Sequence, residues 1–247
     1  MTRVEGLWPQ NVSPNRLAVL ECKLSVWLRS QNLKSEIKAE NLQVLTQQAA
    51  AAGSDFSPLQ KEIKTIVEAK TDNFLELANI AGLNPLEDFA GGRLLGVSLT
   101  GLDLSGAEWK GAYLRGSDLS DADLSSANLQ AVNLSGADLS GALLSDANLI
   151  QANLHRASLA LANLSGANLT EVNLSDANLS NCNLSNCNLS NAILKNANLS
   201  QAGLALTNLT GADFTEANVK QARMWHDSGL SEQVKQDLIK RGVIFEE

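Results

Sequence analysis

Ala122-Asp123-Leu124-Ser125-Ser126-Ala127-Asn128-Leu129 sets one leucine five residues after another, each preceded by Asp or Asn and, one residue earlier, by Ala. The same frame runs unbroken from Leu94 to Met224. Leucine fills 23 of its 27 centres, and Trp109, Phe214, Val219 and Met224 fill the rest. Two residues before the centre, 18 of 26 positions are Ala, so a small and a large apolar residue recur as a fixed pair. A period of five fits neither ordinary element. In an α-helix five residues advance roughly 140°, so the leucines would spiral around every side. In a straight strand five is odd, and successive leucines would face opposite ways. The leucines share one interior only if the chain turns by a fixed angle after each pentapeptide, which makes it a solenoid.

Asn or Asp fills 18 of the 26 positions just before the centre. The consensus A-[DN]-L-[ST]-x, in copies such as Ala122-Asp123-Leu124-Ser125-Ser126 and Ala167-Asn168-Leu169-Thr170-Glu171, resembles the pentapeptide-repeat family over a little more than half the chain. That resemblance implies a right-handed quadrilateral β-helix (a β-solenoid), with four pentapeptides per coil and coils stacked through backbone hydrogen bonds. At roughly 4.8 Å per coil, about six and a half coils make a rod of roughly 31 Å. The resemblance implies a binding protein. A subset of the family mimics duplex DNA and protects or inhibits DNA gyrase. Residues 94–224 carry 11 Asp and Glu against 6 Lys and Arg, whereas 31 Å of B-DNA presents roughly 18 charges. A protein-interaction scaffold is therefore the first reading, gyrase mimicry the second, and an enzyme with an unrecognised site in the helical domain the third. Asp103, Asp123 and Asp146 share one predicted side, and Asp118, Asp121 and Asp138 the next.

The flanks read as helix. Pro14 after Ser13 marks a start, with Leu17, Leu20, Leu24, Trp27 and Leu28 on one face to about Ser30. A second helix is predicted from about Glu36 to Ala52, turning Leu42, Leu45 and Ala49 inward and stopping at Gly53. Ser57-Pro58-Leu59-Gln60 is a capping box ahead of Ile63, Ile66 and Val67. A further helix is predicted from about Asp72 to Gly82. Asn84-Pro85-Leu86-Glu87 starts a short one, carrying Phe89, that Gly91-Gly92 closes. Open coils invite end-to-end pairing, so both ends need covers. The short helix is expected to cap the first coil. Ser231 to Arg241, with Leu230, Val234 and Leu238 on one face, is expected to close the last, with Ile244-Phe245 folded back on it. The expected organisation is an α-helical domain over 1–91, the β-helix over 92–225, and a C-terminal capping helix and tail over 226–247.

Composition narrows the chemistry. A net charge of −8 disfavours nucleic acid and anionic membranes as partners. The first residues lack the apolar run of a signal peptide, and no stretch reaches the roughly 18 apolar residues of a membrane span, so a cytoplasmic protein is expected. Cys22, Cys182 and Cys187 are expected to be free thiols, the last two standing in for the inward Ala. N-L-[ST] occurs nine times as a by-product of the repeat rather than as a set of glycosylation sites. His155 is outward and His226 follows the last centre; with no third group in reach they form no catalytic set. No phosphate-binding or dinucleotide motif occurs, and neither a cofactor nor a metal site is predicted. The Asn and Asp column is expected to stabilise the turns from a fixed corner rather than to form a carboxylate array.

One outward column departs from this polar regularity. Arg115, Ser135, His155, Ser175, Lys195 and Thr215 recur every twenty residues, with Arg156 beside them and Tyr113 and Ile193 in the neighbouring column where Asn or Asp is usual. Tyr113, Arg115, His155, Arg156, Ile193 and Lys195 are the candidate interaction face, with an acidic protein partner or the chain's own acidic sides as occupant.

Overall fold

The computed structural model describes residues 12–30, 57–225 and 228–246. The predicted helix from Glu36 to Ala52, the N-terminal segment before Val12 and His226 lie outside them.

From Arg93 to Gly203 each residue just before a centre pairs with the one twenty residues later, as in Asp103↔Asp123 and Asn163↔Asn183. Four pentapeptides therefore close one coil. We number the sides by their first paired residue: side 1 from Arg93, side 2 from Ser98, side 3 from Asp103 and side 4 from Glu108. All 27 centres are buried in a column of leucine, with the small residues beside them.

Ala122 to Ser126 shows where the backbone donors go. The Ala122 N–H bonds Leu119 O (3.1 Å), closing a turn; Asp123 reaches back one coil to Leu102 O (2.9 Å). Leu124 and Ser126 reach forward to Leu143 O (2.7 Å) and Ser145 O (2.8 Å). The fifth donor, Ser125 N–H, is taken by the Asp123 side chain (2.9 Å). Every donor of the pentapeptide is satisfied, which lets such a thin rod do without a helix or a second sheet. The Asn and Asp column thus lies on the flat of each side rather than at a corner, where one carbonyl oxygen closes the following turn. Its amides also bond from coil to coil, as in Asn183 Nδ2 to Asn163 Oδ1 (3.1 Å) and Asn218 Nδ2 to Asn198 Oδ1 (2.9 Å).

The true corner is the fifth residue. It has positive φ in every repeat from Gly96 to Gln221, whether Gly, Asn, Asp or a larger side chain, as the third residue of a type II turn requires. Gly166 is the extreme case: a Cβ there would collide with the Asp146 carboxylate one coil earlier.

Cys182 and Cys187 occupy inward Ala positions, where Sγ donates to Leu159 O (2.7 Å) and Leu164 O (2.8 Å) of the preceding coil. Thr207 uses its hydroxyl in the same way toward Leu184 O (2.6 Å). Burial pushes both thiols from 9.0 up to about 12. Since the thiolate is the reactive form, neither cysteine should be alkylated in the native chain at neutral pH, and both should react once it is unfolded. Mass spectrometry after native and denatured labelling checks this, and rapid native labelling would place them outside the core. The burial of these thiols favours folding below pH 9 and loses that contribution as pH rises toward 12.

Three helices precede the rod among the described residues: α1 (Pro14–Ser30), α2 (Ser57–Glu68) and α3 (Phe74–Ile80). Asn73 caps α3, accepting from Glu76 N–H (3.1 Å), so that helix starts later than predicted. Arg16 donates to Ile66 O (2.9 Å) in the last turn of α2 and to Thr71 O (2.7 Å) beyond it, holding the open carbonyls at that helix end. On α1, Leu20, Leu24 and Leu28 are buried as expected, but Leu17 and Trp27 are half-buried, and Asn15, Glu21 and Cys22 are buried. Asn15 and Glu21 face the rod, and the Cys22 thiol donates to Asp88 O (3.2 Å) in the turns before it. Asn15 accepts from Ser98 N–H (2.7 Å) and donates to Ser98 O (3.3 Å), so one side-chain amide stands in for a missing coil on side 2. Glu21 lies 3.7 Å from Arg93, and burial raises its pKa against that cation. Residues 84–91 form a run of turns rather than the predicted helix: Asn84 accepts from Leu86 N–H, and Gly91-Gly92 stop the chain before a full helix develops. Phe89 still covers the first coil, with its ring 4.9 Å from Phe74 and 6.2 Å from Trp109. Helices and rod share one continuous hydrophobic core.

After the last coil comes α4 (Glu232–Lys240), capped by Ser231, with Leu238 buried and Leu230 and Val234 packed against the core. Ile244-Phe245 does not fold back on α4. Instead β3 (Ile244–Glu246) pairs in parallel with β2 (Arg223–Trp225), which pairs with β1 (Gly203–Leu204), so it extends side 3 by one strand.

Candidate interaction faces

Side 1 is the ladder Arg93, Tyr113, Asn133, Asn153, Asn173, Ile193 and Asp213. Tyr113 (51%) and Ile193 (44%) stand exposed in it, and Arg115, Arg156 and Lys195 are exposed beside it. These residues share one long wall without forming a compact cluster. Arg115 and Lys195 are four coils apart, about 19 Å. His155 is half-buried and engaged: its Nδ1 lies 3.0 Å from both Ser175 O and Ser175 Oγ and 3.6 Å from Asp176. A carbonyl oxygen can only accept, so Nδ1 carries the proton in that contact. Arg156 occupies a corner with φ +58°. Lys195 faces Asp213, whose carboxyl is held below its usual range first by the Thr215 hydroxyl and then by that backbone and the lysine.

The acidic residues gather on sides 2 and 3 in the N-terminal half. Asp103 and Asp123 lie on side 3, Asp118 and Asp138 on side 2, and Asp121 at the corner between them. The Ser105 and Ser120 hydroxyls hold the carboxyls of Asp103 and Asp118 below the usual range, so both stay charged. Among the described residues no group of three or more His, Cys, Asp or Glu could hold a metal ion. No described helix is long and apolar enough to cross a membrane.

Side 3 carries a feature that the sequence reading passed over. Leu143 (43%) is exposed on it, and Leu161 (71%) and Leu206 (60%) are exposed at its two bordering corners. Leu161 and Leu206 have φ of +63° and +55°, a conformation that disfavours bulky side chains. Their signal was present: Leu159-Ala160-Leu161 and Leu204-Ala205-Leu206 replace the usual Ser and Gly, Asn or Asp.

The profile of pentapeptide repeats matches this chain in eight copies, over residues 93–130, 127–170 and 192–224. HetL, a pentapeptide repeat protein involved in heterocyst differentiation regulation from the cyanobacterium Nostoc sp. strain PCC 7120, is 30% identical over 64% of this chain and 80% of its own, with a TM-score of 0.42. The chain belongs to the pentapeptide-repeat family. Such proteins fold as right-handed quadrilateral β-helices, and the twenty-residue pairing here gives the four sides. Another similar structure is alr5209, a pentapeptide repeat protein of Nostoc PCC 7120, 32% identical over 52% of this chain and 84% of its own, with a TM-score of 0.27. A third is trypsin-treated QnrB1, a plasmid-mediated fluoroquinolone resistance protein, 21% identical over 66% of this chain and 86% of its own, with a TM-score of 0.34. No curated protein sequence matches the chain significantly.

Proposed function

We propose that this pentapeptide-repeat protein is a non-enzymatic interaction scaffold: a rigid rod over 92–225 whose faces recruit a protein partner, with the helical unit over 1–91 as a second surface. In this reading residues 226–247 close the rod. The observation that carries it is Tyr113 and Ile193 standing exposed on side 1, in a ladder where Asn133, Asn153, Asn173 and Asp213 instead accept from the backbone N–H two residues on. Together with Arg115, Arg156 and Lys195 they offer apolar contacts among cations, a surface suited to an acidic protein. Changing Arg115, Arg156 and Lys195 together to Ser should weaken partner capture without lowering the melting temperature, because all three are exposed. Capture that survives the triple change at physiological salt would redirect attention to the helical unit.

The gathering of six aspartates on sides 2 and 3 favours a second reading, a DNA-like modulator of gyrase. A supercoiling assay separates the two. Gyrase that runs unchanged with added protein, with or without a quinolone, removes the second.

A further inference from the structure

Exposed large apolar residues of the rod fall on two opposite sides. Leu95, Tyr113 and Ile193 belong to side 1; Leu143, Leu161 and Leu206 belong to side 3 and its corners; Ile244 lies on the strand that extends side 3. Sides 2 and 4 have none on their flats. Over the first four coils the same two sides are also opposite in charge. Over those coils side 1 with its corners carries Arg93, Arg115 and Arg156 against Glu171 alone, whereas side 3 with its corners carries Asp103, Asp121, Asp123 and Asp146 and no base.

We propose that the rod stacks side by side with a second copy of this chain, side 1 of one copy lying on side 3 of the next with the rods parallel. This deepens the reading of side 1 as an interaction face and rests on it. Because the two sides belong to the same coils, translating a copy sideways brings them together in register. Sides 1 and 3 run in opposite directions across the coil, so the residue after a centre on one meets the residue before a centre on the other. Arg115 then faces Asp123. Ile193 faces Ala205, beside Gly203, where the ladder has no side chain and a Cβ would meet nothing within 4 Å. Leu206 rises at the edge of this shallow gap as a raised rim. Leucines at strained, exposed corners weaken the free chain, and burial against a neighbour offsets that weakness. The contact joins two different surfaces, so it does not close on itself and builds a row rather than a dimer. One face is narrow, about 34 Å long over seven rungs, so the association should be weak and dependent on concentration.

Analytical ultracentrifugation of the purified full chain tests this. The weight-average mass should rise with protein concentration and fall as salt is added. A side-1 variant, Arg115→Ser with Ile193→Asn, and a side-3 variant, Leu143→Asn with Leu206→Asn, should each sediment as a single chain. All four changes insert a residue that the same column or corner carries in other coils, so melting temperatures should hold or rise. An equal mixture of the two variants keeps one intact side 1 and one intact side 3, and should form a species of two chains and nothing larger. An unmodified chain that stays single at every concentration would overturn the stacking. So would variants that assemble as the unmodified chain does, or a mixture that stays single. A single-chain mass accompanied by loss of partner capture in the Arg115, Arg156 and Lys195 variant would leave the scaffold reading standing alone.

Discussion

A Trp109→Ala variant should lose about 3 to 5 kcal/mol of stability and loosen the helices from the rod, with unfolding by denaturant and proteolysis of the helical part as the two measurements. Trp109 is the only centre between Leu94 and Leu209 that is not leucine. It is fully buried, with its ring 6.2 Å from both Phe74 and Phe89, and its indole N–H donates to Pro85 O at 2.8 Å. Phe74 comes from α3, Phe89 from the turns and Trp109 from the first coil, so this trio joins all three parts of the junction. Alanine would remove the packing, leave a cavity and strand the Pro85 carbonyl. Trp109→Leu supplies the control. It restores the usual centre and keeps the coil filled, but it cannot donate to Pro85, so it should cost less and expose the helical part selectively. If Trp109→Ala melts as the unmodified chain does, the junction is held elsewhere, at Asn15 and the Glu21–Arg93 pair.

The rod was legible because its period of five admits a single solution. Burying Leu94 to Met224 on one axis forces a turn per repeat, and the four-sided count followed from the family resemblance. The left-handed corner was equally written in Gly96, Gly101, Gly106, Gly111 and Gly116, yet later coils put Asn, Gln, Arg and Leu there, which hides it from a reader tracking only the leucines. What lay beyond reach were contacts between distant residues. Asn15 looks like an ordinary first-turn residue of α1, and only folding brings it 83 positions along the chain to Ser98. His155 points outward on side 1, and its bond to Ser175 depends on the next coil. Ile244-Phe245 was read as a tail for α4, since nothing local distinguishes that from a strand added to side 3. Helical periodicity ranks Leu17 and Trp27 above Glu21 and Cys22 because it assumes water on the far side of the helix, where Arg93 and Asp88 in fact lie.

Deleting residues 226–247 should convert the chain into a species that self-associates or precipitates, with a lower melting temperature. Phe214, Val219 and Met224 end the apolar column, and Leu238 and Val243 belong to the same core, with Val234 and Phe245 packed against it. A fully buried apolar side chain contributes roughly 1.5 to 3 kcal/mol; Leu238 and Val243 are buried and Val234 and Phe245 partly so, so the loss should at least match that at the junction. The backbone would be left open as well. Arg241 donates to Phe214 O at 2.9 Å and also bonds Ala217 O; Gly242 O accepts from Gln221 N–H at 2.8 Å; Ile244 N–H reaches Ala222 O at 2.8 Å. Without them the truncated rod presents a flat edge of unpaired donors and acceptors around an exposed phenylalanine, the arrangement that templates pairing with another chain. Sedimentation of the truncated chain distinguishes this from side-by-side stacking, because end-to-end association rests on apolar burial and backbone pairing. It should persist at high salt and in a Leu143→Asn, Leu206→Asn background, whereas stacking should not. A truncated chain that remains single and melts unchanged would show that the last coil needs no cover, and that α4 and β3 serve some purpose other than closing the rod.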